Sequence, residues 1–153
     1  MSRRTLAARV GLGLAGLFVL IQLVPYGRDH SNPPATRAAR WTDPQAEQLA
    51  TQSCYDCHSN LTKWPWYTNV APASWLTQND VDGGRNTFNF SEWDKGAPDT
   101  GEMAEQVSSG EMPPMQYRLI HRSTSLSSSE KQTLIRGLQS LYRSDPPPFR
   151  RGG

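Results

Sequence analysis

Residues 53–67 read SCYDCHSNLTKWPWY and hold the only two cysteines of the 153-residue chain, Cys54 and Cys57, with His58 directly after the second. Three chemistries use such a cluster: a redox disulfide, a zinc site and covalent attachment of haem. Haem c attachment needs two thiols close enough to add to the two vinyl groups of one porphyrin, and an imidazole able to reach the iron from the same side. Two cysteines three apart, with histidine next in line, provide that arrangement. Cys54 and Cys57 would then be the thioether anchors, and His58 the proximal ligand, binding iron through its neutral imidazole. A structural zinc site wants four protein ligands, and beyond this cluster only His30 and His121 could add to it, with no second CxxC. A thioredoxin-like pair belongs in a βαβ pattern, which the helical, loop-rich flanks do not offer. A plain disulfide of an exported protein stays open.

A low-spin electron carrier needs a second axial ligand. Gly110-Glu111-Met112-Pro113-Pro114-Met115 lies between two helical segments, and its two prolines restrict φ and bias the preceding residue toward extended backbone. That stiffens the loop around Met112, whose thioether is the candidate distal ligand and would raise the potential relative to bis-histidine ligation. Met115 and His121 stand as alternatives, whereas Met103 reads as core filler. The aromatics Trp64, Trp66, Tyr67, Trp75, Phe88 and Trp93 could wrap a porphyrin or form a small core. Tyr117 and Arg85 are candidates for a propionate contact, although no spacing rule specifies it.

Outward from the cluster, Thr42-Asp43-Pro44-Gln45 is a helix start, with a side-chain oxygen at the N-cap and proline in the first turn. The helix is expected to run to about Ser53, leaving CxxCH at its C-terminal end. Shorter helices are expected over roughly 73–82 and 100–108. Ser127-Ser128-Ser129-Glu130 matches a capping box, followed by Leu134, Ile135, Leu138, Leu141 and Tyr142 on one helical stripe. No run of strands and no internal repeat stands out, so the expected fold class is all-α.

The N-terminus carries Arg3, Arg4 and Arg9, then the uncharged run Val10–Tyr26. Seventeen residues sit at the short end of the roughly 17–25 needed to cross a bilayer. No small-residue cleavage site follows, so residues 1–26 are expected to be an uncleaved transmembrane anchor. The arginines should stay in the cytoplasm, which places the remainder on the outer, periplasmic side. The expected organisation continues with a polar spacer at 27–40, one domain at 41–143, and a disordered tail at 144–153. Net charge is +2, and removing the three arginines leaves +2 − 3 = −1 for the rest. No basic stripe is visible, which argues against a nucleic-acid partner.

Taken in order, these residues resemble the haem-binding-domain family of membrane-anchored, cytochrome c-like bacterial proteins. The resemblance runs from Trp41 to Tyr142. It rests on Cys54 to Asn60, Trp66-Tyr67 with Pro72, Gly84-Arg85, Phe88-Asn89-Phe90-Ser91 with Trp93, Gly110 to Pro114, Tyr117, His121, and Leu126-Ser127 with Glu130. It implies one covalent haem c on Cys54 and Cys57, His58 as proximal ligand and Met112 as distal candidate. It also implies a cytochrome c-type helical fold whose first and last helices pack together. The expected function is monohaem electron transfer between redox partner proteins at the outer membrane face, without enzyme activity. The alternatives are a haem-based gas or redox sensor and a peroxidase-like enzyme.

Overall fold

The computed structural model describes residues 2–150 and is all-helical. Seven α-helices form among the described residues: α1 (Arg3–Ile21), α2 (Pro44–Ser53), α3 (Tyr55–His58), α4 (Ala73–Thr87), α5 (Thr100–Ser109), α6 (Met115–Ile120) and α7 (Ser128–Ser144). Extended pairing among them is limited to two isolated bridges, Arg37 with Glu92 and Ala97 with Phe149. The described residues divide into two compact units, residues 2–30 with 64–80, and residues 31–63 with 81–150. Helix α4 contributes its first part to one and its remainder to the other.

In the first unit, α1 is long and apolar enough to cross a membrane, and none of its residues is buried. Gln22, just past its end, donates from Nε2 to Phe18 O and Ala71 O, and its Oε1 accepts from Ala71 N at 2.9 Å. Gly27 has a positive φ of 81° and lies so close to the Ser74 carbonyl that no side chain could fit. His30 stacks on Trp64 with ring centroids 4.6 Å apart, and its Nε2 lies 3.0 Å from Thr68 O. His30 is thereby engaged locally. Trp64, Trp66, Tyr67 and Trp75 all belong to this unit, whereas Phe88 and Trp93 belong to the other.

The second unit is built on α2 and α7. Asp43 caps α2 by accepting from Gln45 N and Ala46 N, and Pro44 occupies the first turn, where its missing N–H has no cost. The capping box at Ser127 and Glu130 starts α7 as the sequence predicts. The two helices cross where Gly137 faces Ala46, and a Cβ at Gly137 would collide with the Ala46 methyl. This contact is the packing of first and last helices expected for the domain. Leu49, Ala50, Leu134, Leu138 and Leu141 fill the core around it with Met103 and Val107 of α5. Asp99 caps α5, and Gly110 ends it in the left-handed region at φ 83°.

Two expectations are corrected here. The supposed spacer is part of the second unit from Ser31 on: Thr36 N and Arg37 N donate to Ser91 O, and Ala39 N donates to Phe90 O. The supposed tail from Ser144 is held as far as Arg150. The buried Asp145 carboxylate pairs with Arg37 and accepts from Arg40 N, while its carbonyl accepts from Trp93 Nε1 at 2.8 Å. Ala97 then exchanges backbone hydrogen bonds with Pro148 and Arg150. Prolines at 146–148 forbid a helix but leave carbonyls free to accept, which explains the pairing. The last three residues of the expected tail lie outside the described residues.

Candidate functional site

Cys54 closes α2, its N–H donating to Ala50 O, and opens the single turn of α3, where its carbonyl accepts from Cys57 N and His58 N at 3.1 and 2.9 Å. One tight turn therefore carries both thiols and the imidazole. Ser59 then extends, and its hydroxyl donates back to Tyr55 O at 2.7 Å.

Burial pushes the Cys54 thiol up to about 12, with the neighbouring Cys57 adding to the effect. Redox-active CxxC pairs work through a lowered pKa, so this environment opposes a thioredoxin-like role. Burial also pushes His58 below its ordinary value, and the opposing pull of the Phe88 and Gly84 carbonyls is smaller. The ring is therefore neutral near pH 7. Its Nδ1 lies 3.3 Å from Phe88 O, and the tautomer that donates there leaves the lone pair a metal needs on Nε2. The Phe88 ring stacks on the imidazole at 4.2 Å and 15°.

Residues 88–91 run beside the motif and lock it. Phe90 N donates to His58 O at 2.8 Å, Asn60 N donates to Ser91 Oγ, and Asn89 Nδ2 donates to the buried Asn60 Oδ1 at 2.7 Å. Phe88, Phe90, Trp93 and Tyr142 follow one another in ring contact, with centroids 5.1 to 5.6 Å apart, from the imidazole into the core. Arg85 reaches across to Ser59 O, Ser31 O, Asn32 Oδ1 and Thr62 Oγ1, all within 3.0 Å. Its guanidinium is thus engaged by four protein acceptors. Gly84 lets α4 lie against the motif: a Cβ there would come within 2.5 Å of the Cys57 carbonyl oxygen.

Met112 lies in the loop between α5 and α6, with its N–H donating to Gln106 O at 3.0 Å and the residue 37% exposed. Met115 begins α6 and is 68% exposed. His121 closes α6, its N–H donating to Tyr117 O and its ring 4.5 Å from the Tyr117 ring. Tyr117 donates to Asp56 Oδ2 at 2.5 Å, which ties α6 to the CxxCH turn. The pairing of Asp56 with Tyr117 had no signal in the sequence, because the variable positions of CxxCH carry no residue rule. Among the described residues no three His, Cys, Asp or Glu side chains converge as a metal site.

The model of the family described as a haem-binding domain matches residues 16–140. None of the curated proteins and none of the solved structures matches the chain.

Proposed function

Because the chain belongs to the haem-binding-domain family, we propose that it is a membrane-tethered, monohaem c-type cytochrome that passes electrons between protein partners. The observation that carries this is the paired thiols and neutral, Nδ1-oriented imidazole on one turn, a donor set that fits covalent haem c. Cys54 and Cys57 would hold the vinyl carbons, His58 would supply the proximal nitrogen, and Met112 is the candidate distal thioether. Bound in this way, haem supplies an iron that cycles between ferric and ferrous states.

The chain's own residues do the remaining work. The Phe88 carbonyl and ring fix the imidazole's tautomer and plane. Phe90 and Trp93, both buried, keep water from that side of the turn. Gly84 lets α4 lie against the Cys57 backbone, and Arg85 holds the chain just after the motif at Ser59 and Thr62. With α1 as a span and Arg3, Arg4 and Arg9 retained inside, the haem unit would stand on the outer, periplasmic face of the bacterial cytoplasmic membrane.

A redox titration of the full chain in detergent, followed by absorption, tests the proposal. A reversible one-electron couple is expected, together with a low-spin ferric spectrum showing the weak charge-transfer band of thioether coordination, lost in Met112→Ala. A high-spin ferric spectrum in the intact protein would overturn the carrier and favour a gas-sensing or peroxidase-like site.

A further inference from the structure

Asp56, the one acidic residue inside the CxxCH turn, is used three times. Its carbonyl accepts from Thr62 Oγ1 at 2.8 Å and its Oδ1 from Lys63 N at 3.0 Å, both of which shape the loop after His58. Its Oδ2 accepts from the Tyr117 hydroxyl at 2.5 Å, across sixty-one residues of sequence. That third bond reaches α6, which starts directly after Met112-Pro113-Pro114.

Little slack separates Met112 from Tyr117. Both intervening prolines have φ fixed by their rings, and Arg118 N donates to Pro114 O at 3.1 Å, closing the turn that carries Tyr117. On the other side Met112 N is bonded to Gln106 of α5. The loop is therefore held at one end by α5 and at the other by the CxxCH turn. Helix α6 itself has little to hold it: six residues are too few for a stable isolated helix, none of them is buried, and Met115, Leu119 and Ile120 are exposed. A methionine side chain has three rotatable bonds, so a thioether stays in place only if its backbone does.

We propose that the Tyr117–Asp56 hydrogen bond is a latch that holds the Met112 loop against the haem-attachment turn, making Tyr117 a positioning residue for the distal ligand. This rests on the assignment of haem to Cys54, Cys57 and His58 with Met112 opposite. Tyr117→Phe removes the latch and leaves the Lys63 and Thr62 bonds of Asp56 in place. Asp56→Asn keeps it, since the amide can accept from Lys63 N and donate to the tyrosine oxygen.

The test is a titration of the ferric holoprotein, its haem verified by intact mass, with imidazole, which competes with the thioether for iron. Breaking a hydrogen bond to a charged acceptor shifts a local equilibrium by about tenfold or more. Tyr117→Phe is therefore expected to bind imidazole about tenfold more tightly than wild type, with Asp56→Asn close to wild type. Hydrogen exchange at residues 112–121 should lose protection in Tyr117→Phe alone, a readout that does not depend on iron chemistry. If Tyr117→Phe keeps wild-type imidazole affinity and wild-type exchange while haem and the thioether band are intact, the latch is wrong and the haem assignment stands. A wild-type protein with no covalent haem, or with haem but no thioether band, overturns the underlying assignment and the latch with it.

Discussion

Replacing Gly137 by alanine sets two opposed effects against each other at the crossing of α2 and α7. In an ordinary helix interior the change stabilises by about 0.8–1.0 kcal/mol, because alanine gives up less backbone freedom on folding. Here the new Cβ would fall on the Ala46 Cβ, well inside the 3.0 Å that real Cβ atoms essentially never breach. The Ala46 methyl is fixed to the α2 backbone and cannot rotate aside. The helices must move apart by about 1–2 Å to restore the ~3.5–4.0 Å of normal carbon contact. That separation loosens Leu49, Leu134, Leu138 and Leu141, which the crossing keeps buried. Overpacking a core costs about 1–3 kcal/mol, and a rigid obstacle places this site at the upper end. After the helix-propensity gain, a net loss of about 2 kcal/mol remains, or a fall in Tm of about 5–10 °C. Thermal unfolding of the full chain in detergent, followed by circular dichroism, measures it. A second substitution, Ala46→Gly, should recover most of the loss in the Gly137→Ala background, a non-additivity expected of residues in contact. A Tm that rises in Gly137→Ala would refute the close crossing.

Gly84→Ala would place a Cβ 2.5 Å from the Cys57 carbonyl oxygen and 2.9 Å from its carbon, both backbone atoms. It should lower the ratio of attached haem to protein, and an unchanged ratio would remove Gly84 from the support of the motif. Arg85→Lys keeps the charge but cannot reproduce a fork on four acceptors. A loss of about 1–3 kcal/mol is expected from the denaturant midpoint, and no loss would contradict the clamp. Ser127→Ala should cost about 1 kcal/mol of stability through the α7 cap. Hydrogen bonds from the Ser127 hydroxyl and backbone hold the Glu130 carboxyl below its ordinary value. A depressed folded pKa means the cap's contribution is complete above the ordinary carboxylate range and fades as pH falls through the folded value. The gap between wild type and Ser127→Ala should therefore narrow in acid, and a gap that widens would reverse the sign.

What the sequence could reveal was local. Asp43-Pro44 and Ser127-Glu130 announced α2 and α7, because capping chemistry is carried by residues within one turn. The cluster Cys54 to His58 was legible as a candidate site for the same reason, since its residues lie on one turn. Helix α4 runs five residues past its expected end at 82, since Gly83 and Gly84 read as a break. Gly84 is small because the Cys57 backbone lies against it, a contact that no local pattern encodes. Residues 31–40 and 145–150 looked like spacer and tail, being polar or proline-rich, yet they are held mainly by backbone bonds and one buried aspartate. The latch at Tyr117 was equally hidden, since its partner lies sixty-one residues away.

The central claim is that Cys54 and Cys57 carry a covalent haem on the turn that presents His58. The full chain should be produced in cells with a haem c maturation system, its intact mass measured, and a denaturing gel stained for haem. The account predicts a mass higher by one haem and a stained band that survives denaturation. A haem-free mass with Cys54 and Cys57 joined as a disulfide would contradict it.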